Sequence, residues 1–193
     1  MRGSYVTLVR AESSVGADLW GSVLLPYTGS AMRFLIVLLA LAGLVDSGLA
    51  LRIHYQDPGS APPCAVSASW DCGAVNHSRF ADFPPDPSAG FGDAPVKGGV
   101  HLPVAILGLV GYGLIAVLAL VNQLWATLQC AEIGFAFAAF LSYMEAYILQ
   151  KWCIYCVVSQ SLITAILLCT VVALVSQQRA RKRVAERTAV MVA

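Results

Sequence analysis

Two cysteines stand two residues apart in Gln150-Lys151-Trp152-Cys153-Ile154-Tyr155-Cys156, where a long apolar run begins. Such a pair can be a packing pair, half of a metal site, a short structural bridge or a redox couple. A bridge across two residues closes almost no loop, and the stabilisation from a disulfide grows with loop length. Zinc asks for four tetrahedral ligands, usually from two tight pairs, whereas the other pair here, Cys64-x7-Cys72, lies in a Pro-rich stretch. A pair opening a helix sits among unpaired amide donors at the positive end of the helix dipole, which favours thiolate over thiol, and Lys151 adds charge of the same sign. Thiolates attack disulfides and electrophilic rings. Redox exchange is therefore the reading that uses the position, and no metal is expected.

The elements that must hold these residues follow from composition. Hydrophobic residues make up 58% of the 193 and charged residues 12%, and the mean hydropathy is +0.72, a balance typical of a polytopic membrane protein. Apolar runs occupy 34–51, broken by Asp46; 102–121, without charge; 126–149, holding Glu132 and Glu145; and 153–175, without charge. A crossing helix needs about 20 such residues. The expected fold is an all-α membrane protein, a four-transmembrane-helix bundle with spans at about 34–52, 102–122, 126–149 and 154–176. A long extracytoplasmic loop, 53–101, joins helices 1 and 2. The first run resembles a secretory signal in part, but 1–31 precede it and the run extends to Leu51, so it is read as a span. Residues 1–31 are expected to be a leader, the membrane domain to cover 32–176, and 177–193 to be a basic tail.

With four spans both termini share a side. That side holds Arg2, Arg10, Arg33, Arg179, Arg181, Lys182, Arg183 and Arg187, against Arg52, Arg79, Lys97 and Lys151 opposite. By the positive-inside rule the termini are cytoplasmic and both cysteine pairs face the other compartment, where disulfides persist. The net charge of +1 gives no reason to expect nucleic acid as a partner; the partner surface is the lipid bilayer. Cys64 and Cys72 in a mobile loop and Cys153 and Cys156 fixed at a helix mouth suggest a relay. The loop pair meets a soluble thiol protein and swings to the fixed pair, which a lipid-borne electron carrier can reach. Cys130 and Cys169 read as ordinary buried thiols.

Small residues recur at Gly108, Gly111 and Gly113 and at Ala131, Gly134, Ala136, Ala138 and Ala139, for tight helix packing or else to leave room for a flat ligand. Glu145, eight residues before Cys153, either manages a proton, pairs with Lys151 or bonds another helix. Asp46 and Glu132 read as interhelical hydrogen-bond partners. His54, His77 and His101 read as solvated or interfacial, with His101 also placed near the ligand as a minor reading. Trp152 and Tyr155 either belong to the interfacial aromatic belt or cover the redox pair.

The stretches "CAVSASWDCGAVNHS", "HLPVAILGLVGYG" and "SYMEAYILQKWCIYC" resemble the vitamin K epoxide reductase family over about 32–175. The resemblance implies four helices around a quinone, a loop cysteine pair, and a C-x-x-C opening the last helix. It implies that Cys156 faces the quinone and forms the adduct, and that Cys153 exchanges with Cys72. Cys64, bonded to Cys72, is then attacked by the partner's thiol, and Ser78 is the loop Ser/Thr near the site. The implied function is a thiol:quinone oxidoreductase of the bacterial inner membrane. It would oxidise a separate periplasmic DsbA-like or thioredoxin-like protein, because nothing after Val175 encodes a fused thioredoxin-like domain. Its acceptor would be ubiquinone or menaquinone, with a vitamin K-type quinone as the alternative. Gln160 stands where animal members have tyrosine, which leans against vitamin K epoxide. The rival readings are a thiol-driven vitamin K epoxide or quinone reductase, and a non-enzymatic membrane protein with structural disulfides.

Overall fold

The computed structural model describes residues 30–57, 62, 64–85 and 102–192. The leader expected over 1–31 lies almost wholly outside the described residues, and His101 lies outside them as well. In chain order the elements are α1 (Ser30–His54), α2 (Cys72–Asn76), β1 (Asp82–Phe83), β2 (Leu102–Pro103), α3 (Val104–Leu120), α4 (Leu124–Tyr143), a π-helical turn (Met144–Leu149) and α5 (Ile154–Val192). Among the described residues three helices are long and apolar enough to cross a membrane: Ser30–His54, Leu124–Leu149 and Ile154–Met191; Val104–Leu120 is apolar but shorter. At 1.5 Å per residue the 17 residues of α3 rise about 25 Å.

The boundaries differ from the sequence expectation for local reasons. The second apolar run does not start as helix at Leu102, because Leu102 and Pro103 pair antiparallel with Phe83 and Asp82. Proline then stands at the N-cap of α3, where its missing N–H leaves no helical bond unmade. The basic tail is not separate from the last span but continues α5 as helix. The turn between α3 and α4 is as short as expected and closes at Asn122, whose φ of 61° is a left-handed conformation that asparagine tolerates well.

One apolar core joins the four long helices through Ile36, Ala40, Tyr112, Ile115, Ala119, Ala131, Ile163 and Ile166. Outward from it the helices present Leu38, Val45, Val110 and Leu168, all more than 60% exposed, as an integral membrane protein presents its surface to lipid. Glycine sets the closest approach: a Cβ on Gly43 would lie 2.5 Å from the Tyr112 ring, so α1 and α3 meet only because none is there. At the end where α1 stops and α5 starts, called the outer end after the expected topology, a second cluster gathers Ile53, Cys64, Cys72, Val75, Leu149 and Cys153.

Candidate redox site

The corner before α5 is built by the π-helical turn, a form that recurs where a helix is bent to serve a site. It ends at Gln150, left-handed at φ 50°, and Lys151 N–H donates back to the Glu145 carbonyl at 3.2 Å. This fold-back brings the Glu145 carboxylate to the head of α5, where Oε2 accepts the Cys153 N–H at 3.2 Å. An anion at a helix N-terminus is electrostatically favoured. The carboxyl also faces the Cys156 thiol, and its Oε1 is buried without a hydrogen-bond partner among the described residues. Glu145 does not pair with Lys151, whose Nζ donates instead to the Ala68 carbonyl.

The loop pair is fastened to this corner. Cys64 and Cys72 stand at disulfide distance, with Cα atoms 5.7 Å apart. Trp70 and Trp152 form a parallel β-bridge, with Asp71 N–H donating to Trp152 O at 3.0 Å and Trp152 N–H to Ser69 O at 2.8 Å; their rings lie 6.2 Å apart. The segment expected to swing is thus strapped to the residue preceding Cys153. Directly after the strap, Asp71 caps α2 by accepting Ala74 N–H at 3.1 Å, so Cys72 opens a helix of its own. Asn76, the last residue of α2, donates from Nδ2 to Cys72 O at 2.9 Å and to Cys153 Sγ at 3.5 Å.

The two thiols of the C-x-x-C differ in surroundings. Cys153 is fully buried in the outer cluster, beside Cys72, whereas Cys156 is half-buried and opens on a cavity of about 540 Å³. The Cys156 thiol, donating to the Cys153 sulfur, holds the Cys153 pKa below the ordinary thiol value. The cavity is walled by all four long helices and the outer loop. Its polar lining comprises Glu145, which faces the Cys156 thiol, with Asn76, Ser78, His54, Asp46 and the Tyr112–Ser159 pair. Tyr112 Oη donates to Ser159 O at 2.9 Å, tying α3 to α5.

Of the residues expected at the site, Cys64, Cys72 and Cys153 share the outer cluster, while Cys156, Ser78 and Glu145 share the cavity. Ser78 uses its proton on Val75 O, 2.8 Å away, closing the end of α2. Gly108, Gly111 and Gly134 all line the cavity, but a Cβ on Gly108 would meet Ser47 Oγ at 2.6 Å and one on Gly111 would meet nothing within 4 Å. Close packing therefore accounts for Gly108, while Gly111 leaves open space at the cavity wall.

Several sequence readings change. Asp46 lines the cavity. Glu132 accepts from Gln129 of its own helix, not from a neighbouring one. His54 and His77 are not free in solvent: His54 Nδ1 bonds Asn76 O at 2.7 Å, and His77 bridges Gly73 O and Gln56 O at 2.8 and 3.0 Å. The Trp152 ring packs beside that of Trp70 across the strap, and Tyr155 lines the cavity. Cys130 lines the cavity too, and both Cys130 and Cys169 are partly buried against the core of the helices. Asn76 was missed, since a single asparagine four residues after a cysteine carries no periodic signal.

The model of the vitamin K epoxide reductase family matches residues 34–171. The chain belongs to the vitamin K epoxide reductase family. The match runs from α1 into α5 and takes in all four cysteines of the outer end, and membership makes the protein a membrane oxidoreductase. No curated protein matches the chain. Among the described residues no three His, Cys, Asp or Glu side chains gather as metal ligands.

Proposed function

We propose that the protein is a thiol:quinone oxidoreductase in which electrons pass from a thioredoxin-fold thiol protein, through Cys64–Cys72 and then Cys153–Cys156, to a membrane quinone. The single observation behind this reading is the division of the C-x-x-C: Cys153 is buried beside Cys72 while Cys156 opens on the cavity.

The cavity suits a flat, mostly apolar ring with a long chain. Its wall along α4 and the turn after it extends from Cys130 to Glu145, about 22 Å of helix rise, and beside Cys156 it holds a carboxyl oxygen with no partner among the described residues. A bound quinone accepts two electrons and two protons and leaves as the quinol. Ubiquinone and menaquinone both answer this description, and a vitamin K-type quinone does so equally.

The remaining chemistry belongs to the chain. A partner dithiol attacks Cys64, is oxidised to its disulfide, and leaves Cys64 and Cys72 as thiols. The Cys72 thiolate attacks Cys153 of an oxidised Cys153–Cys156 pair, expelling the Cys156 thiolate. Cys64 then attacks Cys72, re-forming the loop disulfide and releasing Cys153. The helix pair is now the dithiol, with Glu145 placed to take the Cys156 proton and deliver it towards the ring. Ser78 and Glu145 both line the cavity on which Cys156 opens, and His101 is proposed for the same site from a position outside the described residues.

In topology, we read α3 as a fourth span and both termini as cytoplasmic, with the cysteine pairs on the periplasmic side of a bacterial inner membrane. Three long spans with α3, and the Lys/Arg excess around the chain ends, support it.

The experiment is quinol formation by the detergent-purified protein, given a water-soluble quinone and a reduced thioredoxin-fold protein. Cys156→Ser is expected to abolish turnover. Cys64→Ser is expected to lose turnover with the protein donor and keep it with dithiothreitol. Equal rates for the wild type and Cys156→Ser would reject the reading and leave the structural-disulfide alternative.

A further inference from the structure

Exchange between two cysteine pairs requires that the sulfur of one be held against the disulfide of the other, and one side chain touches both participants. Asn76 Nδ2 lies 2.9 Å from the carbonyl oxygen of Cys72 and 3.5 Å from Cys153 Sγ. Both neighbours are acceptors, so only the NH2 end of the carboxamide fits, with one proton for each. The residue has little freedom to do otherwise. It is buried, it closes the short helix that Cys72 opens, and its backbone oxygen accepts from His54 Nδ1 at the end of α1. An N–H aimed at sulfur stabilises a thiolate more than a thiol, because a hydrogen bond to an ionised acceptor is about twice as strong as one to a neutral acceptor.

We propose that Asn76 is a positioning residue for thiol exchange: one carboxamide tethers the Cys72 backbone and the Cys153 sulfur, aligning the two residues and stabilising Cys153 as the thiolate that attacks or leaves. The inference rests on the relay proposed above. In the direction easiest to observe, the Cys153 thiolate attacks Sγ of Cys72. A Cys72–Cys153 bond forms, the Cys64–Cys72 bond breaks, and Cys64 departs as thiolate, with no outside oxidant or reductant. When Cys156 is replaced by serine, no thiol remains in that pair to resolve the new bridge and only the return attack of Cys64 opposes it, so bridged and starting forms come to an equilibrium that acid quenching preserves.

The test uses the full-length protein in detergent. Mixed-disulfide formation is followed by non-reducing peptide mapping in Cys156→Ser, alone and combined with Asn76→Leu or Asn76→Asp. The pH profile of Cys153 alkylation is read in the same three proteins with Cys64→Ala and Cys72→Ala added, so that no exchange competes. Asn76→Leu, which keeps the bulk and loses both donors, is expected to move the alkylation midpoint up by about one pH unit and to slow bridge formation at neutral pH about tenfold. Asn76→Asp has the same shape and sets a carboxylate against the sulfur, so its midpoint is expected to move higher still.

Coincident midpoints in the Asn76, Leu and Asp proteins would overturn the assignment even if bridge formation slowed, since a purely structural role leaves the profile in place. Absence of any Cys72–Cys153 bridge in Cys156→Ser with Asn76 intact would instead take down the relay and this inference together.

Discussion

Glu145 and the two sulfurs at the head of α5 form a small electrostatic unit in which each group constrains the others. The carboxylate accepts the Cys153 N–H and faces the Cys156 thiol, while the Cys156 thiol donates to Cys153. Glu145→Gln keeps an oxygen for the Cys153 N–H and removes the titratable group. It should fold normally and lower quinol formation on the order of a hundredfold, the usual size of a general acid–base contribution. Glu145→Leu also strips the Cys153 N–H of its acceptor, and an unpaired buried donor costs about 1–3 kcal/mol, so this variant should in addition melt earlier. The lowered pKa of Cys153 has a definite sign in a pH experiment: its thiolate persists at pH values where an ordinary cysteine is protonated. Alkylation of Cys153 should therefore continue to lower pH than that of Cys169, and Cys156→Ala, which removes the donor, should shift the Cys153 profile upward. A profile unmoved by Cys156→Ala would show that the pair does not share a proton.

At the scale of elements, contacts between helices and the strap over α5 decide where the site can stand. Replacing a helix-interior glycine with alanine ordinarily stabilises by about 0.5–1 kcal/mol. At Gly43 the added carbon would sit 2.5 Å from the Tyr112 ring, and forced overpacking costs about 1–3 kcal/mol, so the clash should win and Gly43→Ala should lower the melting temperature. Combining it with Tyr112→Ala should recover part of the loss, a non-additivity that a double-mutant cycle in detergent measures. The helices were largely legible in advance because apolar runs of spanning length leave few alternatives, and Cys64-x7-Cys72 with C-x-x-C marked the chemistry. What could not be read were features made by contacts between distant segments. The Trp70–Trp152 bridge, the Asn76 contact with Cys153 and the β1–β2 pairing that delays α3 all depend on residues far apart in sequence. The π-helical turn was hidden for another reason, since a shift from four- to five-residue bonding changes no composition. Read without these contacts, the Pro-rich loop looked mobile, whereas its 67–72 portion is anchored to the corner it serves.

For the whole molecule, the proposed relay is short, running from the strapped loop pair through Cys153 to Cys156 at the cavity between the helices. If α3 is a fourth span, cysteines introduced by Ser67→Cys and Gln178→Cys into a cysteine-free chain should be labelled by an impermeant maleimide from opposite sides of sealed vesicles. Labelling of both from one side would remove the topology. The path itself turns on the proximity of Cys72 and Cys153, which share the outer cluster and are both fully buried. The most direct measurement is to oxidise the Cys64→Ser/Cys156→Ser double variant gently and map its disulfides by mass spectrometry under non-reducing conditions. The account predicts an intrachain Cys72–Cys153 bridge as the main product. Recovery of both cysteines as free thiols, or bonded only between separate molecules, would contradict it.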